Sequence, residues 1–195
     1  GTNTYLCGTG ETKILIDTGD RGTAEEYTTF LLDTVFPLTN TRSISKILIT
    51  HHHEDHTGGI STILREIRSR GLPEPSVFQS RKAGSRFLPD VETEDIHEGQ
   101  IFSADGVTLL SCFLPGHCED HYGFVVAEDA ALISGDCILG CGTTTFNNLS
   151  EYMESLQKVL LMTVGSTKLC TSPIRSIYPG HGPIARDNAQ TKVLD

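Results

Sequence analysis

The sequence predicts an α+β fold or layered sandwich, with chemistry gathered at strand ends. Three observations predict it. Short apolar segments of strand length recur along the 195 residues, longer segments carry helical spacing, and several strands run directly into histidine or aspartate. Strands and helices mix without the strict alternation of a doubly wound parallel sheet.

Taken in order, Lys13 to Ile16 reads as a short strand that stops at the turn sequence Asp17-Thr18-Gly19. Thr23 to Leu38 reads as a helix capped by Thr23, with Glu25 and Glu26 in its first turn. Ile44 to Thr50 is a strongly apolar strand. Gly59 to Arg70 has helical spacing that sets Ile60, Ile63, Leu64 and Ile67 on one face, and Gly71 and Pro73 stop it. Ser76 to Gln79 and Val107 to Leu114 are strand-like. Gly123 to Ala127 and Ala130 to Ser134 form a hairpin around Glu128-Asp129. Leu149 to Leu161 is a second amphipathic helix, with Tyr152, Leu156, Val159 and Leu160 toward a core. Ile174 to Tyr178 is the last strand.

The length suits one domain over residues 1–195, enough to bury a sizeable core. No apolar run reaches the roughly 18 residues of a membrane helix. A net charge of −10 disfavours broad non-specific binding to nucleic acid or to an acidic membrane surface. The six cysteines form no CxxC pair, and their dispersed spacing fits buried reduced thiols. That favours an intracellular compartment, either cytoplasm or mitochondrial matrix, since the chain opens at Gly1 directly into strand-like sequence with no targeting segment in view.

Metal chemistry is the strongest signal. In the extended stretch after Thr50, His51 and His53 project to the same side and can share a metal. Asp55 and His56 follow as the chain turns, within reach of a second metal. Four ligands cannot complete two catalytic sites, which take about three protein ligands each plus a water. His117, Asp136 and His181 supply the rest, each just beyond an apolar strand and each beside a glycine that lets backbone approach closely. Imidazole and carboxylate together suit zinc, and also iron or manganese. His52 lies between two ligands and points away from the metals. His121 is placed either behind the ligands or facing the substrate. His97 has no assigned role, and Cys118 and Cys137 adjoin ligands but point oppositely.

The pattern His51-x-His53-x-Asp55-His56, followed by His117, Asp136 and His181, resembles the metallo-β-lactamase fold superfamily. So do Gly1-Thr2-Asn3-Thr4-Tyr5-Leu6 and Leu15-Ile16-Asp17-Thr18-Gly19. A narrower resemblance, to the β-lactamase-like protein 2 group, rests on Ser134 to Gly140, Gly142-Thr143-Thr144 with Phe146, Tyr152-Met153 with Ser155-Leu156, and Tyr178 to Pro183. That group is similar to glyoxalase II and is associated with endoribonuclease activity on single-stranded RNA.

The resemblance implies an αββα sandwich of four layers. It implies one zinc held by His51, His53 and His117, and a second held by Asp55, His56 and His181, with Asp136 bridging them. Asp17 is implied to orient ligands from behind. Against the family pattern, the chain is expected to lack the first strand and the C-terminal helices, and to carry a longer connection over Thr163 to Pro173.

Such a centre predicts hydrolysis by a hydroxide bridging the two cations, with Asp55 orienting it or accepting its proton. Cleavage of single-stranded RNA is the leading expectation. Six basic residues between positions 65 and 86 (Arg65, Arg68, Arg70, Arg81, Lys82 and Arg86), against Glu66 and Glu74, offer phosphate contacts. Hydrolysis of a small thioester, as in glyoxalase II, is the alternative. A closed, non-catalytic metal module is a third reading, and β-lactam hydrolysis is disfavoured.

Overall fold

A computed structural model describes residues 1–82, 91–165 and 172–194. The first sheet runs in spatial order through β1 (Tyr5–Cys7), β2 (Thr12–Ile16), β3 (Ser43–Leu48), β4 (Ser76–Phe78) and β5 (Thr93–Glu94). β1 is antiparallel to β2; the other pairs in this sheet are parallel. The second sheet contains β6 (Ile101–Ala104), β7 (Val107–Phe113), β8 (Tyr122–Val126), β9 (Ala131–Gly135) and β10 (Ser176–Pro179), in the order β10-β9-β8-β7-β6. It is antiparallel except where β10 joins β9.

Period-two alternation divides each sheet between two cores. Ile14, Ile16, Leu48, Phe124 and Ile133 point between the sheets, where they pack with Phe78, Phe102 and Leu109. Their neighbours Leu15, Ile47 and Ile49 point outward, under the helices α1 (Ala24–Phe30), α2 (Phe36–Leu38) and α4 (Ile60–Ser69), α3 being the single turn Glu54–Thr57. On the other side Cys112, Val125, Leu132 and Ile177 meet α5 (Leu149–Thr163) and α6 (Ala189–Leu194) through Val159, Met162 and Ala189. Three cores between helices, sheet, sheet and helices make the four-layer αββα sandwich.

The expected strands and helices form with shifts of a residue or two, and all four predicted core residues of α4 are buried. Several details differ. The helix expected over Thr23 to Leu38 widens into a π turn over Leu31–Val35 just ahead of Pro37, whose ring nitrogen has no hydrogen to donate. Thr23 makes no capping bond; Asp20 instead accepts from Gly22 N and caps a short 3₁₀ turn. In α5 the core face carries Ser155 and Met162, while Leu160 is only half-buried. The connection over Thr163 to Pro173 lies partly outside the described residues. Among the described residues no helix is long and apolar enough to cross a membrane.

Candidate metal centre

The strand ends of both sheets meet at one edge, and the seven expected residues come together there. β3 leads through Thr50 into His51 and His53, and α3 carries Asp55 and His56. The loops after β7, β9 and β10 bring His117, Asp136 and His181. Two groups of ligand atoms result: His51, His53, His117 and Asp136 in one, Asp55, His56 and His181 in the other.

In the first group, His53 Nδ1 lies 3.0 Å from His51 Nε2 and 3.1 Å from His117 Nε2. Three nitrogens this close match the edge of a tetrahedral zinc site, roughly 3.3 Å for zinc–nitrogen bonds of about 2.0–2.1 Å. The ring faces turned away are already engaged. His117 Nδ1 donates to Thr145 O at 2.8 Å, and His51 Nδ1 lies 3.0 Å from Thr50 Oγ1. These contacts fix the tautomers that leave Nε2 lone pairs facing inward.

In the second group, His56 Nδ1 donates to Asp17 Oδ2 at 2.7 Å. Asp17 also accepts from Thr50 N and Thr50 Oγ1, each at 2.8 Å, so one carboxylate steadies ligands of both groups. It does so in a left-handed backbone conformation, φ 58°, rare for a residue with a side chain. Asp55 Oδ2 lies 3.1 Å from His181 Nε2 and 3.5 Å from His56 Nε2, and accepts from Thr2 Oγ1 at 2.9 Å. Asn3 bonds Pro179 O, Gly180 O and Gly182 O, which fastens the loop that carries His181.

Asp136 stands between the groups. Its Oδ2 is 3.8 Å from His117 Nε2 and 3.4 Å from His181 Nε2, while Oδ1 is 3.5 Å from His56 Nε2. Space for it exists because residue 180 is glycine: a Cβ there would sit 2.3 Å from Asp136 Oδ1. Gly116, at φ 122°, serves His117 likewise, since a Cβ would fall 2.4 Å from the Tyr152 backbone.

The donor set fits divalent cations. His56 Nε2 and Asp136 Oδ1 are buried without any hydrogen-bond partner, an expensive arrangement for protein alone and the expected one for atoms that bind a metal. Burial, followed by the neighbouring His56, pushes His51 well below the usual histidine range. Burial and then His117 lower His53. Both therefore offer lone pairs. His56 behaves oppositely: burial pulls it down, but Asp17 and Asp136 outweigh burial and raise it to about 10. Asp136 is held at about 2, burial being outweighed by His56.

The remaining histidines sort out. His52 turns away from the cluster and meets Asp120 Oδ1 at 2.8 Å. His121 is fully buried, and its Nε2 accepts the Asp136 backbone N–H at 3.0 Å, so it supports Asp136 rather than facing solvent. Burial, then His117, lowers it to about 3 and keeps it neutral for that role. His97 is exposed. Thr2 and Asn3 lie in a segment that carries the family resemblance but, like Asp120, had no role assigned from sequence; their parts depend on contacts from distant segments. The five described cysteines form no disulfide with one another.

The basic stretch does not make a free cationic face. Arg65 pairs with Glu25, Arg68 with Glu74, and Arg70 with both Asp33 and Glu66. Arg81 bonds Thr93 O, and Lys82 stacks over Phe113. Arg86 lies outside the described residues.

Comparison with known proteins agrees with this geometry. The chain is 41% identical over 185 residues to a Caenorhabditis elegans protein named Beta-lactamase-like protein 2 homolog, covering 94% of this chain and 57% of that one. It is 38% identical over 193 residues to an Aspergillus fumigatus protein named Atrochrysone carboxyl ACP thioesterase, covering 99% of this chain and 54% of that one. It spans about half the length of the curated relatives it matches. A β-lactamase domain protein from Burkholderia ambifaria shares the fold at TM-score 0.74 and 20% identity, over 99% of this chain and 67% of that one. The family model of the metallo-beta-lactamase superfamily matches residues 1–191, and the chain belongs to that superfamily.

Proposed function

We propose that the chain is one catalytic domain, a metal-dependent hydrolase of thioesters holding two zinc ions. His51, His53 and His117 hold the first, Asp55, His56 and His181 the second, and Asp136 lies between them. Bound there, the cations supply Lewis acidity to the scissile carbonyl and to the attacking water. Asp55, held by Thr2, accepts the water's proton. Asp17 and His121 keep His56 and Asp136 in place.

The observation that carries the thioester reading is the cavity beside Asp55 and His181. It measures about 490 Å³, is walled by Thr2, Thr4, Thr23 and Tyr27 among others, and contains no lysine or arginine. Apart from the residues of the centre, the described wall offers hydroxyls, an aromatic ring and the Asp20 carboxylate, which suits an uncharged acyl group better than an anionic nucleic-acid backbone. Relatives named as acyl carrier protein thioesterases support the same reading.

Cleavage of single-stranded RNA is the second reading. It is favoured by the 41% identity to the relative named Beta-lactamase-like protein 2 homolog, and weakened by the pairing of Arg65, Arg68 and Arg70 with carboxylates. The buried, unbridged Cys112, Cys118 and Cys137 support a reducing compartment, cytoplasm or mitochondrial matrix.

The test is parallel incubation of metal-analysed protein with acyl thioesters, read by a thiol-reactive dye, and with labelled single-stranded RNA. Chelator-treated protein and His53→Ala serve as controls. Chelator-sensitive thiol release lost in His53→Ala is expected. Chelator-sensitive RNA cleavage without thiol release would replace the first reading with the second.

A further inference from the structure

We propose that His52, Cys118 and Asp120 form a third cation site, of the zinc type, distinct from the seven residues of the centre. One ligand atom from each of the three lies within 4.8 Å of the others. Asp120 is fully buried: Oδ1 meets His52 Nδ1 at 2.8 Å, while Oδ2 has no nitrogen or oxygen donor, the Cys118 thiol being the group beside the carboxylate. A buried carboxylate oxygen without a donor is costly, and a cation satisfies it.

The donors are an imidazole nitrogen, a thiolate sulfur and a carboxylate oxygen. The sulfur selects zinc over magnesium or calcium, and three protein ligands leave one position for water. His52 and Cys118 line a cavity of about 370 Å³ shared with Asn148 and Glu151, so a cation enters from solvent without crossing the catalytic centre.

The site lies back to back with that centre. His52 alternates between His51 and His53, and Cys118 follows His117. A cation there ties the loop after β3 to the loop after β7 and braces two ligands of the first group from behind. On binding, Cys118 gives up its thiol proton to solvent. The His52–Asp120 hydrogen bond opens: the Nδ1 proton leaves to solvent, the ring takes up a proton on Nε2, and the neutral imidazole offers its Nδ1 lone pair.

Cobalt(II) alone is the probe. None of the seven residues of the centre carries sulfur, so thiolate-to-cobalt charge-transfer absorption in the near ultraviolet reports only a site with a cysteine ligand. Titration of the metal-stripped chain is expected to give about three cobalt ions per chain with that band present, and about two with the band lost in Cys118→Ala. In His52→Asn, at a partly exposed position, the band is expected to need at least about tenfold more cobalt, the scale of losing one ligand contact. Absence of the band at saturation, or its survival in Cys118→Ala, overturns the proposal. If Cys118→Ala does not fold, a band unchanged in His52→Asn overturns it equally.

Discussion

The two halves of the metal centre are built differently. His51, His53 and His117 belong to a sealed half: His51 and His117 are buried, their outer nitrogens are tied to Thr50 and Thr145, and burial lowers the proton affinity of His51 and His53. Asp55, His56 and His181 form the open half. The side chains of Asp55 and His181 are 37% and 32% exposed, and both wall a cavity of about 490 Å³. The same residue types thus make one half shielded from solvent and one half that opens onto a cavity. Ligand type alone does not assign those tasks; the surrounding hydrogen bonds and exposure do.

The largest expected effect comes from removing the residue common to both halves. Asp136→Ala should lose both metals and all measurable hydrolysis while circular dichroism stays native; retention of two metals in elemental analysis would break the picture of a shared ligand. Asp55→Asn should spare the sealed half and lower turnover by about 10²–10⁴, the range of a general base, read in the thioester assay. Asp17→Asn should weaken metal binding by about 10–100-fold, more for the open half, because Asp17 contacts His56 directly but His51 only through Thr50.

Protons should compete with metal at His56, which Asp17 and Asp136 raise against burial. In metal-stripped protein the raised His56 stabilises the fold fully below its unfolded value near 6.5, and that contribution is lost as pH climbs through about 10. Denaturant unfolding of stripped wild type against stripped Asp17→Asn should show the difference shrink from pH 6 to pH 10. The smallest effect belongs outside the centre. Arg68→Ala breaks an exposed pair with Glu74 and should leave the unfolding midpoint and thioester turnover essentially unchanged.

Much of this centre was legible because the ligands are dense or sit where strands stop. His51 to His56 announces itself within six residues, and His117, Asp136 and His181 each follow an apolar run. For His121 a place behind the ligands was one of two readings, and the structure takes that one; the roles of Thr2 and Asn3 were not legible. Each acts through a hydrogen bond to a segment remote in the chain, such as Asn3 to Pro179 across 176 residues. The basic stretch misled for the same reason: Glu25 and Asp33, which neutralise Arg65 and Arg70, lie 40 and 37 residues away. In the fold, β5 and β6 are two and four residues long, too short for alternation to show. The π turn before Pro37 had its cause in view but not its geometry.

The clasp of Asn3 on residues 179–182 bears on the order in which the molecule matures. Contacts that span nearly the whole chain close late, because the entropy of a long loop must be overcome before they form. The sealed half draws on segments up to Asp136 after β9 and Thr145, which holds His117. The open half must wait for β10 to dock against β9 and for the clasp to shut. A cation held by Asp55, His56 and His181 would accordingly depend on a contact between two segments far apart in the chain.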